Sequence, residues 1–153
     1  MTPAGTTLRT VALAAAVAAA DQATKAIVRA SVHPGGDAKL LPGIHIVQTR
    51  NPGVAFSLFS GGGPVVVIAA ALALGALLAF YLTHMRRPLV WLPTGLLIGG
   101  AAGNLIDRLR IGAVTDFVKL PHWPAFNVAD MAITFGVLAL VYVLEGPPRR
   151  AER

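Results

Sequence analysis

The sequence predicts a membrane all-α protein, with four transmembrane helices and a small sheet lying against one membrane face. Three observations predict it. Charged residues make up only 13% of the 153 residues and hydrophobic ones 55%, with a mean hydropathy of +0.66, whereas an ordinary soluble domain is about 25% charged. Four apolar runs, approximately residues 8–28, 64–82, 89–106 and 128–144, each approach the ~20 residues that cross a ~30 Å hydrocarbon core. Between the first two runs lies a polar stretch with strand-like alternation. The length sets a single domain over residues 1–153 as the expectation.

The first run has a rival reading. "MTPAGTTLRTVALAAAVAAADQ" has a basic start, an apolar middle and small residues before Asp21, the pattern of a cleavable signal peptide. Against it, helical character resumes through "DQATKAIVRA", where Asp21 precedes Lys25 by four residues and the two share a helix face. In the polar stretch, "GIHIVQTRNPGVAFSLF" alternates at Ile44, Ile46 and Gln48, turns at Asn51-Pro52-Gly53, and resumes at Val54, Phe56 and Leu58. Asp37 reads as a solvated residue of a Gly-rich loop. The second and third runs are joined only by "THMRRP". In the third, Gly95, Gly99 and Gly103 recur every four residues, a smooth stripe for a neighbouring helix; generic lipid-facing residues are the alternative. The link from Asp107 to Asn127 leads to the fourth run.

Four spans place both termini on one side with the "HMRRP" loop. That side carries Arg9, Arg86, Arg87, Arg149, Arg150 and Arg153; the other carries Lys39, Arg50, Arg108, Arg110 and Lys119, with Lys25 and Arg29 near it. The tight arginine loop and the basic tail favour the first side as cytoplasmic, leaving residues 31–63 and 107–127 extracytoplasmic. The net charge of +6 fits topology and anionic lipid. Nucleic acid is disfavoured as a partner, because no basic stripe lies on a polar face.

Several chemistries drop out. With no cysteine there is no disulfide and no thiolate nucleophile or metal ligand. Ser31, Ser57 and Ser60 sit in no nucleophile-elbow motif. His33, His45, His84 and His122 are scattered, with no H-E-x-x-H pair. "SGGGP" lacks the lysine of a phosphate loop and reads as a linker. No metal and no cofactor is expected. The acids remain, and ionisable residues near a membrane are functional candidates by default. Asp107, Asp116 and Asp130 fall together on the face opposite the tails. Two carboxylates forced together share a proton, so one can act as base on water while the other polarises a carbonyl. Each acid also has a plainer reading. Asn127 could be the N-cap of the last helix and Asp130 its N3 acid, and Asp107 could pair structurally with Arg108. A transporter or assembly factor would use the aspartates as caps, ion ligands or a proton relay, but it would also predict polar residues at mid-helix and internal repeats. A membrane-anchored binding module is disfavoured, because no segment outside the spans exceeds about 35 residues.

"DQATK" at 21–25, "NPGVAFSLF" at 51–59, "GGAAGNLIDRLRIGAVTDFV" at 99–118 and "FNVADMAIT" at 126–134 together resemble the ordered motifs of the bacterial lipoprotein signal peptidases (signal peptidase II). The resemblance implies an aspartyl endopeptidase of the bacterial inner membrane, expected to need no metal and to act as a monomer. It implies four transmembrane helices, a small extracytoplasmic β-cradle and a short interfacial segment over the site. Its partners would be membrane lipids and lipidated prolipoproteins, whose signal peptides it would cleave before a diacylglyceryl-modified cysteine. Carried onto this chain, the catalytic pair is Asp116 and Asp130. Asn51, Asn104, Arg108 and Asn127 match polar positions that line the site and hold substrate. Asp21, Lys25 and Asp107 match supporting positions.

Overall fold

The computed structural model describes residues 2–53 and 64–145. They form four helices, α1 (Pro3–Ser31), α2 (Pro64–His84), α3 (Trp91–Ile111) and α4 (Val128–Glu145), and three strands, β1 (Asp37–Leu41), β2 (Ile44–Asn51) and β3 (Val114–Lys119). Three helices, α1, α2 and α4, are long and apolar enough to cross a membrane.

α1 starts where Thr2 caps it, its hydroxyl accepting from the Gly5 N–H, with Pro at the first helical position, a slot where the missing N–H costs nothing. It runs unbroken to Ser31, three residues beyond the expected end, and its last turns enter the core through buried Asp21, Lys25 and Val28. α3 packs against α1, α2 and α4. It extends to Ile111 rather than ending at residue 106, so Asp107 and Arg108 lie on the helix and not in a loop. Gly112 ends it in the left-handed conformation (φ 73°), its N–H bonded to the Arg108 carbonyl. The glycine stripe of α3 does meet a helix. Cβ atoms at Gly95, Gly99 and Gly103 would collide with Leu13, with Ala14 and Val17, and with Asp21 of α1. Gly103 is the position that matters for the site, since a Cβ there would lie 2.6 Å from Asp21 Oδ2.

The sheet has the antiparallel order β1-β2-β3. The sequence located β2 and its turn at Asn51, but two strands were missed. β1 occupies the segment read as a Gly-rich loop, and Asp37, although exposed as expected, opens it and contacts His45 Nδ1. β3 occupies part of the link to the last helix, and its burial comes from neighbours distant in sequence. The strand expected at Val54–Leu58 lies outside the described residues. Beyond β3, Phe126 pairs back onto Val118, with Val118 N–H to Phe126 O at 2.8 Å and Phe126 N–H to Val118 O at 3.0 Å. This bridge clamps the start of α4 to the end of β3.

Candidate active site

α4 opens on a reciprocal capping box. Asn127 Oδ1 accepts the Asp130 N–H at 2.9 Å, and Asp130 Oδ2 accepts the Asn127 N–H at 3.1 Å. The plainer reading of Asp130 is therefore present in the fold, but it uses one carboxylate oxygen only. The other, Oδ1, accepts from Asn104 Nδ2 of α3 at 2.9 Å. Asn127 sends its own amide nitrogen to Asp116 Oδ1 at 2.7 Å. One residue thus holds both carboxylates, one through its backbone and the other through its side chain. Asn51, at the end of β2, donates to Asp116 Oδ2 at 3.1 Å. Thr49, opposite Asp116 in the β2–β3 register, donates its hydroxyl to the Asp116 carbonyl at 2.9 Å.

The three amides can face only one way. Lys25 Nζ, which can only donate, contacts Asn104 Oδ1 at 2.9 Å. The Asp130 N–H occupies Asn127 Oδ1, and the Gly53 N–H occupies Asn51 Oδ1 at 3.0 Å. Each NH2 end is thereby turned toward a carboxylate, and all four carboxylate oxygens of Asp116 and Asp130 receive an N–H. Asp116 is 3% exposed. Burial, and then the negative charge of Asp130, push its carboxyl up to about 6, against the pull of the Asn51 and Asn127 amides and the more distant Lys25 charge. The pair therefore takes up a shared proton at mildly acidic pH, well above the range in which a free carboxylate would.

Behind the pair lies a buried ionic cluster. Lys25 is fully buried, 2.8 Å from Asp21 Oδ2 and 3.2 Å from Asp107 Oδ2. Both acids reach forward. Asp21 Oδ1 accepts the Ala129 N–H at 3.0 Å, and Asp107 Oδ2 accepts the Thr115 N–H at 2.9 Å. Ala129 and Thr115 are the residues immediately before Asp130 and Asp116, so the cluster anchors the backbone next to each. Asp107 does not have Arg108 as its ion-pair partner, as the structural reading of that pair would require; its partners are Lys25 and Arg29. Arg108 forks two main-chain carbonyls instead, Gly53 O at 2.9 Å and Asn104 O at 3.2 Å, while its buried Nε has no partner.

The residues singled out from the sequence therefore belong to one network. Sequence reasoning missed Gln22, which donates to Asp107 Oδ1 at 3.1 Å, and Arg29, which donates to Thr115 Oγ1 at 3.1 Å. Arg29 had a signal, because 21, 25 and 29 fall on one helical stripe; Gln22 had only its place inside the quoted "DQATK" motif. Among the described residues no three His, Asp or Glu side chains converge as metal ligands would.

Comparison with known proteins gives this geometry a family. The profile described as "Signal peptidase (SPase) II" matches residues 13–144. The lipoprotein signal peptidase of Moorella thermoacetica is 42% identical over 134 residues, 86% of this chain and 89% of the relative. That of Thermodesulfovibrio yellowstonii is 41% identical over 128 residues, 80% of this chain and 84% of the relative. Two solved bacterial membrane enzyme structures obtained by the in meso method superpose with TM-scores of 0.84 and 0.80, at 30% and 31% identity. They cover 94% and 88% of this chain, and 92% and 91% of theirs. The apolar helices and these neighbours make the protein a multi-pass membrane protein. A family profile spanning most of its length, and close relatives along nearly all of it, show that the chain belongs to the signal peptidase II family.

Proposed function

We propose that the chain is an aspartyl endopeptidase that removes signal peptides from diacylglyceryl-modified prolipoproteins, with Asp116 and Asp130 as its catalytic pair. The carrying observation is the double hold of Asn127 on the two carboxylates. In this reading the ionised acid takes a proton from water as the water oxygen attacks the carbonyl carbon before the lipidated cysteine. The protonated acid donates to the carbonyl oxygen. Collapse of the tetrahedral adduct breaks the C–N bond, and the leaving amine takes up the proton. Arg108, through its unpaired buried Nε, is the residue best placed to hold a substrate carbonyl.

The same reading makes the enzyme a monomer of the bacterial inner membrane that meets its lipid-anchored substrate within the bilayer, with the site near the extracytoplasmic face. α3 is its fourth crossing. It is 21 residues long, about 31 Å at 1.5 Å per residue. Its contacts with the other three helices spare it the apolar surface that a lipid-facing helix needs.

The test is cleavage of a lipidated precursor peptide by the purified chain in detergent. Asp116→Asn and Asp130→Asn should each abolish cleavage while keeping helical circular dichroism. The double variant should be hardly worse than either, because groups acting as a unit are not additive. Substantial turnover by well-folded Asp130→Asn protein would reduce Asp130 to a helix cap.

A further inference from the structure

A cavity of about 440 Å³ opens on the sheet side of the molecule, and Asp116, one of the two carboxylates, and Asn51 form part of its wall. The rest of the wall is of mixed character and carries the charged side chains Asp37, Arg50 and Lys119; it is contributed by β2, the start of β1, the end of β3 and the segment before α4. Its charges are unequally engaged. Asp37 is already in contact with His45 Nδ1. Arg50, next in sequence to Asn51, has no partner among the described residues. Lys119, three residues after Asp116, spends one N–H on the Trp123 carbonyl at 2.7 Å, and an ammonium carries three. Arg50 and Lys119 thus face the cavity as two cations beside the acids Asp37 and Asp116, and the Arg50 side chain is the one without a hydrogen-bond or ion-pair partner among the described residues.

We propose that this cavity binds the first residues of the substrate beyond the scissile bond, and that Arg50 and Lys119 make it selective for acidic side chains there. The proposal rests on the peptidase reading above and extends it to the substrate side that the cleavage chemistry leaves unspecified. An apolar signal segment belongs against the outward apolar faces of the helices. The segment beyond the cut is the start of the mature, extramembranous protein, and the wall that continues from Asp116 onto the sheet is the one that carries charged side chains, Asp37, Arg50 and Lys119. A carboxylate there meets a guanidinium and an ammonium, whereas a lysine meets like charge. Both cations are solvent-exposed, so the selectivity is modest, about two- to fivefold per charge, the range of exposed ion pairs.

The experiment compares kcat/KM for three diacylglyceryl-cysteine precursor peptides that differ only in carrying Asp, Asn or Lys at the second and third positions after the cysteine. The wild-type chain should prefer Asp over Asn over Lys, and the spread should shrink as salt is raised from about 50 to 500 mM. Arg50→Glu should reverse the order. Equal rates for the three peptides, or an order that survives Arg50→Glu unchanged, would overturn the proposal. If Arg50→Glu does not fold, Lys119→Glu and the salt dependence of the wild type decide the same point. Failure of the wild-type chain to cleave the Asn peptide would strike the peptidase reading instead, and the charge order would then be read from equilibrium binding of the same three peptides.

Discussion

Asp116 sits in an environment far from that of a free carboxylic acid. Burial and the neighbouring acid hold its carboxyl up to about 6, above the ordinary value of 3.8. The folded chain therefore keeps a proton that the unfolded chain has lost. The stabilisation this gives is fully present below about pH 4 and is lost as pH rises through about 6. Asp116→Asn removes that dependence. Unfolding midpoints measured from pH 4 to 7.5 should decline with pH in the wild type and run flatter in the variant, the difference reaching at most about 3 kcal/mol for a shift of this size. A parallel decline in both would remove Asp116 as the source. Lys25 presents the opposite case, a buried cation whose partners are two buried acids. Lys25→Met leaves Asp21 and Asp107 short of a countercharge and releases the Asn104 amide, so it should cost about 3–5 kcal/mol of stability. In protein that remains folded, turnover should fall as well. Thermal unfolding in detergent beside single-turnover cleavage separates the two effects, and unchanged stability would contradict the role assigned to the cluster.

At the scale of elements, the site is made where α1, α3, β2, β3 and α4 meet, and it depends on how closely α1 approaches α3. Gly103 allows that approach. An added methyl would meet Asp21 Oδ2 at 2.6 Å, and Asp21 cannot swing aside without abandoning Lys25 and the Ala129 N–H. Gly103→Ala should therefore destabilise by about 1–3 kcal/mol, the usual cost of overpacking, and lower turnover. Gly75 of α2 is the control, because a methyl there meets nothing within 4 Å. Gly75→Ala should be neutral or stabilising by up to about 1 kcal/mol through better helix propensity. Equal midpoints for the two variants would refute the close-packing account. The Phe126–Val118 bridge plays the matching part at the other end, fixing α4 on β3 so that Asn127 reaches both carboxylates.

For the whole molecule, the proposed topology makes a direct claim about α3. Reporter fusions at Arg86, before α3, and at His122, after it, should lie on opposite sides of the membrane, and a fusion at Gly43 should share the side of His122. Arg86 and His122 on the same side would leave only three crossings. What the sequence determined by itself is what depends on neighbours a few residues away. Apolar runs marked where the four helices lie, and three of them are long and apolar enough to cross a membrane, because apolar length is read over one continuous segment. The cap at Asn127 and Asp130, the Asp21–Lys25 pair and the glycine stripe follow from helical spacing. The ordered motifs brought the network's members to attention without their contacts. Only the tertiary structure decided that β1 and β3 are strands, since their pairing comes from β2 rather than from a strong local pattern. It alone turned Asp107 toward Lys25 and the Thr115 N–H instead of Arg108, and aligned three asparagine amides on two carboxylates. Those choices rest on donors and acceptors tens of residues apart, as with Lys25 and Asn104 or Asn51 and Asp116. Which way an amide faces depends on a partner that can only donate; for Asn127 and Asn51 it is a backbone N–H two or three residues on, but for Asn104 it is Lys25, which arrives only once α1 and α3 have packed.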